Sequence, residues 1–231
     1  MSNKKKARVA GFLYLGVVLT GLFSLMYVPG KLFTNNSPAA VYEHLITNQL
    51  WLRYGIVGNI VCYTFFLFLP LALYGLLSAV NKNMAILMVV LALISTPIAF
   101  SNQQHLISIL SLLNNSNYQS FFSASDLQTD ITLLITQFKN TNLVISIFWG
   151  LWLLPFGYLV YHSGFLPNLL GVFLMIGCFG YLFNFLGNTL ISNYKEIGIA
   201  FYISLPATIG EIGTCLWLVV MGAKESRKLT E

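Results

Sequence analysis

Tyr54–Leu77 reads YGIVGNIVCYTFFLFLPLALYGLL, and no charged residue interrupts it. A helix needs about 20 apolar residues to cross the hydrocarbon of a bilayer, so this stretch is long enough to span. It does not alternate apolar with polar residues, which argues against a barrel strand with one lipid face and one wet face. Five further stretches share its character: Val9–Val28, Met84–Gln103, Leu143–Tyr161, Leu169–Leu190 and Ile199–Met221. The expected fold is all-α: a polytopic membrane bundle of six transmembrane helices, forming a single integral membrane domain over residues 1–231.

Composition agrees. The chain is 57% hydrophobic and 8% charged, against about 25% charged in ordinary soluble domains. A soluble fold needs polar cover for its surface, and lipid removes that need. The net charge of +5 would suggest nucleic acid in a soluble protein. Here the basic residues flank apolar spans, so the expected partner is the lipid bilayer and not nucleic acid. Cys62, Cys178 and Cys215 sit inside apolar stretches with no CxxC pair. They read as small buried hydrophobes rather than a disulfide or zinc set. Lys4-Lys5-Lys6 before the first span resembles a signal peptide. The apolar run after it is too long and lacks an A-x-A site, so it reads as a retained anchor.

Lysine and arginine set the orientation. With the N-terminus inside, the inner segments hold Lys4, Lys5, Lys6, Arg8, Lys82, Lys224, Arg227 and Lys228. The outer ones hold Lys31, Arg53, Lys139 and Lys195. The topology is N-in/C-in. The inner loops Ser78–Asn83 and His162–Asn168 are short, and two outer loops are long. In the first, Ser37-Pro38 opens a short amphipathic helix through Gln49 that suits the outer interface. In the second, Asn114–Ser120 is turn-like, and Ser125 with Gln128 makes a capping box. The helix that follows either lies on the interface or runs straight into the fourth span.

Three groups of residues carry a family resemblance. Arg8-Val9-Ala10-Gly11-Phe12-Leu13-Tyr14-Leu15 opens the first span. Ser163-Gly164-Phe165-Leu166-Pro167 with Leu170-Gly171 links the fourth and fifth. Leu205-Pro206-Ala207, Gly210-Glu211 and Leu216-Trp217-Leu218 lie in the sixth. This pattern resembles the bacterial membrane family of domain of unknown function 4386. The resemblance implies six spans in the bacterial cytoplasmic (inner) membrane and supplies no activity. It also implies an acidic second span, where this chain has Asn59, and a third span less polar than Ser101–His105. No shared charged site follows from it.

Ionisable residues inside a bilayer are costly and are functional candidates by default. Glu211 is the one placed mid-membrane, about 18 Å from Ile199 at 1.5 Å per residue. A carboxyl group at that depth calls for a proton, a cation or a donor. Ala207, Thr208, Thr214 and Cys215 share its helix face. Asn59 and Asn184 are expected about 9 Å below the outer ends of their spans. Gln103 and His105 close the third span, and Arg53 caps the second. The outer half of the bundle therefore reads as wet and the inner half as dry. The functional expectation is an outward-facing cavity for a small polar or amphiphilic molecule, with Glu211 near its floor. The competing reading has these amides merely bridging helices.

His44, His105 and His162 fall at depths that do not form a metal or haem set. HExxH and GxSxG are absent, so no metal, cofactor or catalytic residue is assigned. An intramembrane enzyme using Glu211 or His105 is a lower reading, because Glu211 has no titratable partner visible in sequence. A structural or regulatory membrane subunit is the third. Trp51, Tyr54, Tyr118, Tyr161, Tyr194 and Trp217 read as interfacial belts. Oligomeric state is not assigned.

Overall fold

The computed structural model describes residues 2–33, 37–115 and 121–223. Lys224, Arg227, Lys228 and Tyr118, used in the sequence reading above, lie outside them, as does the rest of the turn-like stretch 116–120. Among the described residues there is no strand, and six helices are long and apolar enough to cross a membrane. The protein is a multi-pass helical membrane protein.

The first span, α1, runs Asn3–Leu32. Then follow α2 (Pro38–Thr47) and α3 (Gln49–Leu77). Next come α4 (Lys82–Asn114) and α5 (Ala124–His162). The chain ends with α6 (Asn168–Leu190), the short α7 (Tyr194–Ile197) and α8 (Ile199–Val220).

Several of these helices are longer than their apolar stretches. The 33 residues of α4 make a rod of about 50 Å, against about 30 Å of hydrocarbon. The rod is therefore longer than the hydrocarbon alone requires. Helix α5 also extends far ahead of Leu143. Its start is capped by Ser123 and Asp126, two residues before the Ser125–Gln128 box expected above. Asp126 N donates to Ser123 Oγ at 3.2 Å, and Ser123 N donates to Asp126 Oδ2 at 3.1 Å. The shorter aspartate closes the reciprocal box that glutamate usually makes. From there one helix runs into the fourth span, so no separate interfacial helix exists at that place. Ser37 does cap α2, its Oγ accepting from Ala40 N at 3.2 Å.

Two departures from regular helix have local causes. Residues Leu22–Tyr27 of α1 form a π-helical stretch just before Pro29. The proline lacks the N–H that a continuous α-ladder needs, and a wider turn absorbs the mismatch. Ser24 Oγ also donates to Thr20 O at 2.7 Å inside this stretch. Helix α5 is interrupted at Trp152, three residues before Pro155, whose missing N–H leaves the Leu151 carbonyl without its helical donor.

The helices contribute to two compact units. One comprises Met1–Gly16, Phe65–Thr96 and Val144–Glu231. Its helices meet through small residues, as membrane helices do when close backbone approach replaces hydrophobic driving force. A Cβ placed on Gly177 would lie 2.6 Å from Ala207 Cα, and one on Gly157 would lie 2.6 Å from the Gly171 carbonyl oxygen. A Cβ on Gly11 would meet the α8 backbone at Val219 N, 2.7 Å away. Lys6 Nζ donates to Gly75 O at 3.0 Å, satisfying a carbonyl in the last turn of α3. Lys4 lies beside Gly222, which takes left-handed geometry at φ +67°. The start of α1 and the ends of α3 and α8 thus meet at one end of this unit.

The other unit comprises Val17–Thr64 and Pro97–Leu143. Its core gathers Leu32, Leu45, Leu52, Ile109, Ile131 and Phe138, among others. Glu43, Ser111, Asp126, Thr129, Asp130 and Lys139 remain exposed. The exposed set also holds Leu50, Val57, Ile107, Phe121 and Leu133, so the surface of this unit mixes polar and apolar residues.

Candidate functional site

Glu211 sits in the middle of α8, and two tyrosines from other helices face its carboxyl group. Tyr14 Oη of α1 donates to Glu211 Oε1 at 3.4 Å. Tyr181 Oη of α6 donates to Oε2 at 3.4 Å. Each oxygen therefore has one phenol. Both distances exceed the 2.5–2.7 Å usual for a hydroxyl on a carboxylate. The carboxyl is cradled rather than clamped.

Aromatic packing fixes the position of Tyr14. Its ring is 2% exposed, 6.3 Å from Trp152 and 6.4 Å from Phe156 between centroids. Trp152 stacks on Phe156 at 5.1 Å and meets the edge of Phe66 at 5.4 Å. Tyr181 is placed by Gly150, where a Cβ would lie 2.6 Å from its own Cβ. One turn along α8, the Thr214 hydroxyl is buried and has no hydrogen-bond partner among the described residues. Cys215 Sγ lies 4.0 Å from Gly11 O. A carboxyl, two phenols and an unsatisfied hydroxyl therefore cluster near the middle of α8. Such a set can accept from a donor ligand, hold a cation against ring faces, or carry a proton.

The other sequence candidates divide between the two units. Asn184 belongs with Glu211 in the first unit but has its own partners. It donates to Ser204 Oγ at 2.9 Å and to Ala200 O at 3.3 Å, and its Oδ1 accepts from Tyr194 Oη at 2.6 Å. Tyr194 is buried against Gly187 rather than lying in an interfacial belt. This cluster ties α6 to α7 and α8.

Asn59, Gln103, His105 and Arg53 lie in the second unit. Asn59 Nδ2 donates to Gln103 Oε1 at 3.0 Å, and Gln103 Nε2 donates to Ala99 O at 3.1 Å. Both residues are buried. Because α3 begins at Gln49 rather than Tyr54, Asn59 sits about 15 Å from the helix start instead of about 9 Å. Arg53 is exposed. His105 lies beside Ser101, Asn102 and Thr141 in an open cleft. His44 Nε2 is 3.1 Å from Lys31 O, and His162 Nδ1 is 3.0 Å from Tyr158 O.

Tyr14 and Tyr181 escaped the sequence reading, which treated aromatics as belts. Tyr181 lies mid-way along Leu169–Leu190, away from the ends where belt tyrosines sit, whereas Tyr14 falls close to the start of Val9–Val28 and carries no such mark. Trp217, assigned to a belt, is partly buried, and its Nε1 has no partner among the described residues. Lys31 Nζ stands 3.8 Å above the ring of Trp51.

The family described as "Domain of unknown function (DUF4386)" matches residues 9–222. An uncharacterized protein of Archaeoglobus fulgidus is 29% identical over 173 residues, covering 75% of this chain and 86% of its own length. No solved structure matches.

Proposed function

The chain belongs to the family described as domain of unknown function (DUF4386), and from that premise we propose that it binds or moves a small polar or amphiphilic molecule, with Glu211 as the ligand- or proton-linked group. The observation that carries this reading is the loose cradle. Two tyrosines approach the two carboxylate oxygens at 3.4 Å each, while Thr214 one turn away keeps an unsatisfied buried hydroxyl. A carboxyl group retained only to join helices gains most from short, charge-assisted bonds. These are long, which leaves acceptor capacity for a guest. In this reading the protein sits in the bacterial cytoplasmic membrane, N-in/C-in, with Lys4, Lys5, Lys6 and Arg8 on the cytoplasmic side.

A second reading has support from the same atoms. One tyrosine per oxygen, from two other helices, is also how a carboxyl would clasp α1, α6 and α8 into a structural subunit. Native mass spectrometry of the nanodisc-embedded protein, after incubation with a polar and lipid extract of the host cell, separates the two. The binding reading expects at least one small molecule retained by the wild type and lost in Glu211→Gln. Identical spectra for the two proteins, with Glu211→Gln changing only thermal stability, would leave the clasp as the better account.

A further inference from the structure

The two phenols on Glu211 leave its charge unanswered. Among the described residues, the carboxyl group meets Tyr14 and Tyr181 and no lysine, arginine or histidine. In the same unit Lys6 Nζ is committed to Gly75 O, and Arg8, Lys82 and Lys195 are exposed. The neighbours of Glu211 along α8, Ala207, Gly210, Thr214 and Cys215, are buried. A carboxylate in such surroundings gains most from a counter-charge. An anionic guest would be repelled, and an uncharged guest would leave the charge as it stands.

The side chain can be reached. Glu211 and Tyr181 both keep part of their surface exposed. The backbone of a mid-helix residue is covered by its own turns, so the exposed part of Glu211 is side chain. Thr208, one turn before it, is exposed, and Leu205 and Ile209 at helical spacing from Thr208 are 36% and 46% exposed. A guest at Glu211 therefore finds an acid with apolar side chains beside it. One carboxyl and two phenols supply fewer oxygens than the roughly six or more that calcium takes, and no metal-holding cluster occurs among the described residues. An ammonium group asks for less. Its N–H donates to the carboxylate in the short, charge-assisted bond that neither phenol makes at 3.4 Å, and an alkyl tail finds cover on Leu205 and Ile209.

We infer that the guest of the Glu211 site is an amphiphilic cation, a primary ammonium on an alkyl chain. This rests on the binding reading above and adds the sign of the charge and the chemical class. The test uses the full-length protein in phosphatidylcholine nanodiscs, with empty nanodiscs as the blank, and three probes that share one tail: dodecylammonium, dodecanol and laurate. Isothermal titration should show dodecylammonium binding to the wild type, and neither dodecanol nor laurate should displace it. Glu211→Gln should weaken dodecylammonium binding about tenfold or more, as loss of a charge-assisted bond implies. Glu211→Asp, which keeps the charge, should retain more binding than Glu211→Gln. Ser123→Ala, in the other unit, should change nothing. The head-group comparison uses the wild type alone, so it decides the charge of the guest even where Glu211→Gln fails to fold. Dodecanol or laurate binding as tightly as dodecylammonium, and lost in Glu211→Gln, would overturn the inference while leaving the binding reading in place. Dodecylammonium that fails to bind the wild type, or binds Glu211→Gln equally well, would also overturn it, and the spectra taken with the cell extract would still decide the binding reading.

Discussion

Tyr14 Oη in α1 stands 3.4 Å from Glu211 Oε1 in α8, a contact between residues 197 positions apart. It is matched on the other carboxylate oxygen by Tyr181 at the same distance. Bonds this long contribute less than the ~1 kcal/mol typical of an intramolecular hydrogen bond. A double-mutant cycle on Tyr14→Phe and Glu211→Gln, read by thermal unfolding in detergent, should give a coupling energy below about 1 kcal/mol. A coupling of several kcal/mol would show that the bond is short in the membrane and that the carboxyl is clamped.

Glycine contacts give an opposite-sign pair. Alanine at Gly177 would put a methyl 2.6 Å from the Ala207 backbone, so α6 and α8 must separate. Overpacking of this kind costs about 1–3 kcal/mol. Gly75, exposed in α3, has nothing within 4 Å of the same added atom. Gly75→Ala should stabilise by up to about 1 kcal/mol, since alanine is the better helix former. Equal melting temperatures for the two variants would contradict the close α6–α8 approach.

The start of α5 is testable by its cap. Ser123→Ala removes the oxygen that accepts from Asp126 N and should cost about 1 kcal/mol. Ser125→Ala should change stability little, because Ser125 already lies inside the helix. Hydrogen exchange at residues 124–127 is the direct readout. Faster exchange in the Ser125 variant alone would return the cap to the Ser125–Gln128 box.

Topology can be read with a membrane-impermeant thiol reagent in intact cells. Cys62, Cys178 and Cys215 are buried, so the wild type gives a low background. Ser125→Cys should label from outside, and Asn3→Cys only after permeabilisation. The reverse pattern would invert the orientation drawn from the lysine and arginine distribution.

The six spans needed only the sequence. A run such as Tyr54–Leu77 is decided by transfer of apolar side chains into lipid, which depends on composition over about 20 residues and not on neighbours. The same local logic found Ser37 as the cap of α2 and Glu211 as the one mid-span carboxyl group. It failed at the start of α5, where two serines two residues apart compete and only backbone geometry chooses Ser123. It also failed at the ends of α4 and α5. Their continuation beyond the hydrocarbon is stabilised by packing among Leu45, Ile109, Ile131 and Phe138, residues far apart in the chain. The tyrosines facing Glu211 belong to the tertiary structure for the same reason. Nothing near Tyr14 or Tyr181 in sequence distinguishes them from packing aromatics. Close approach at Gly11, Gly150 and Gly177 brings α1, α5, α6 and α8 near enough for the two phenols to reach one carboxyl group.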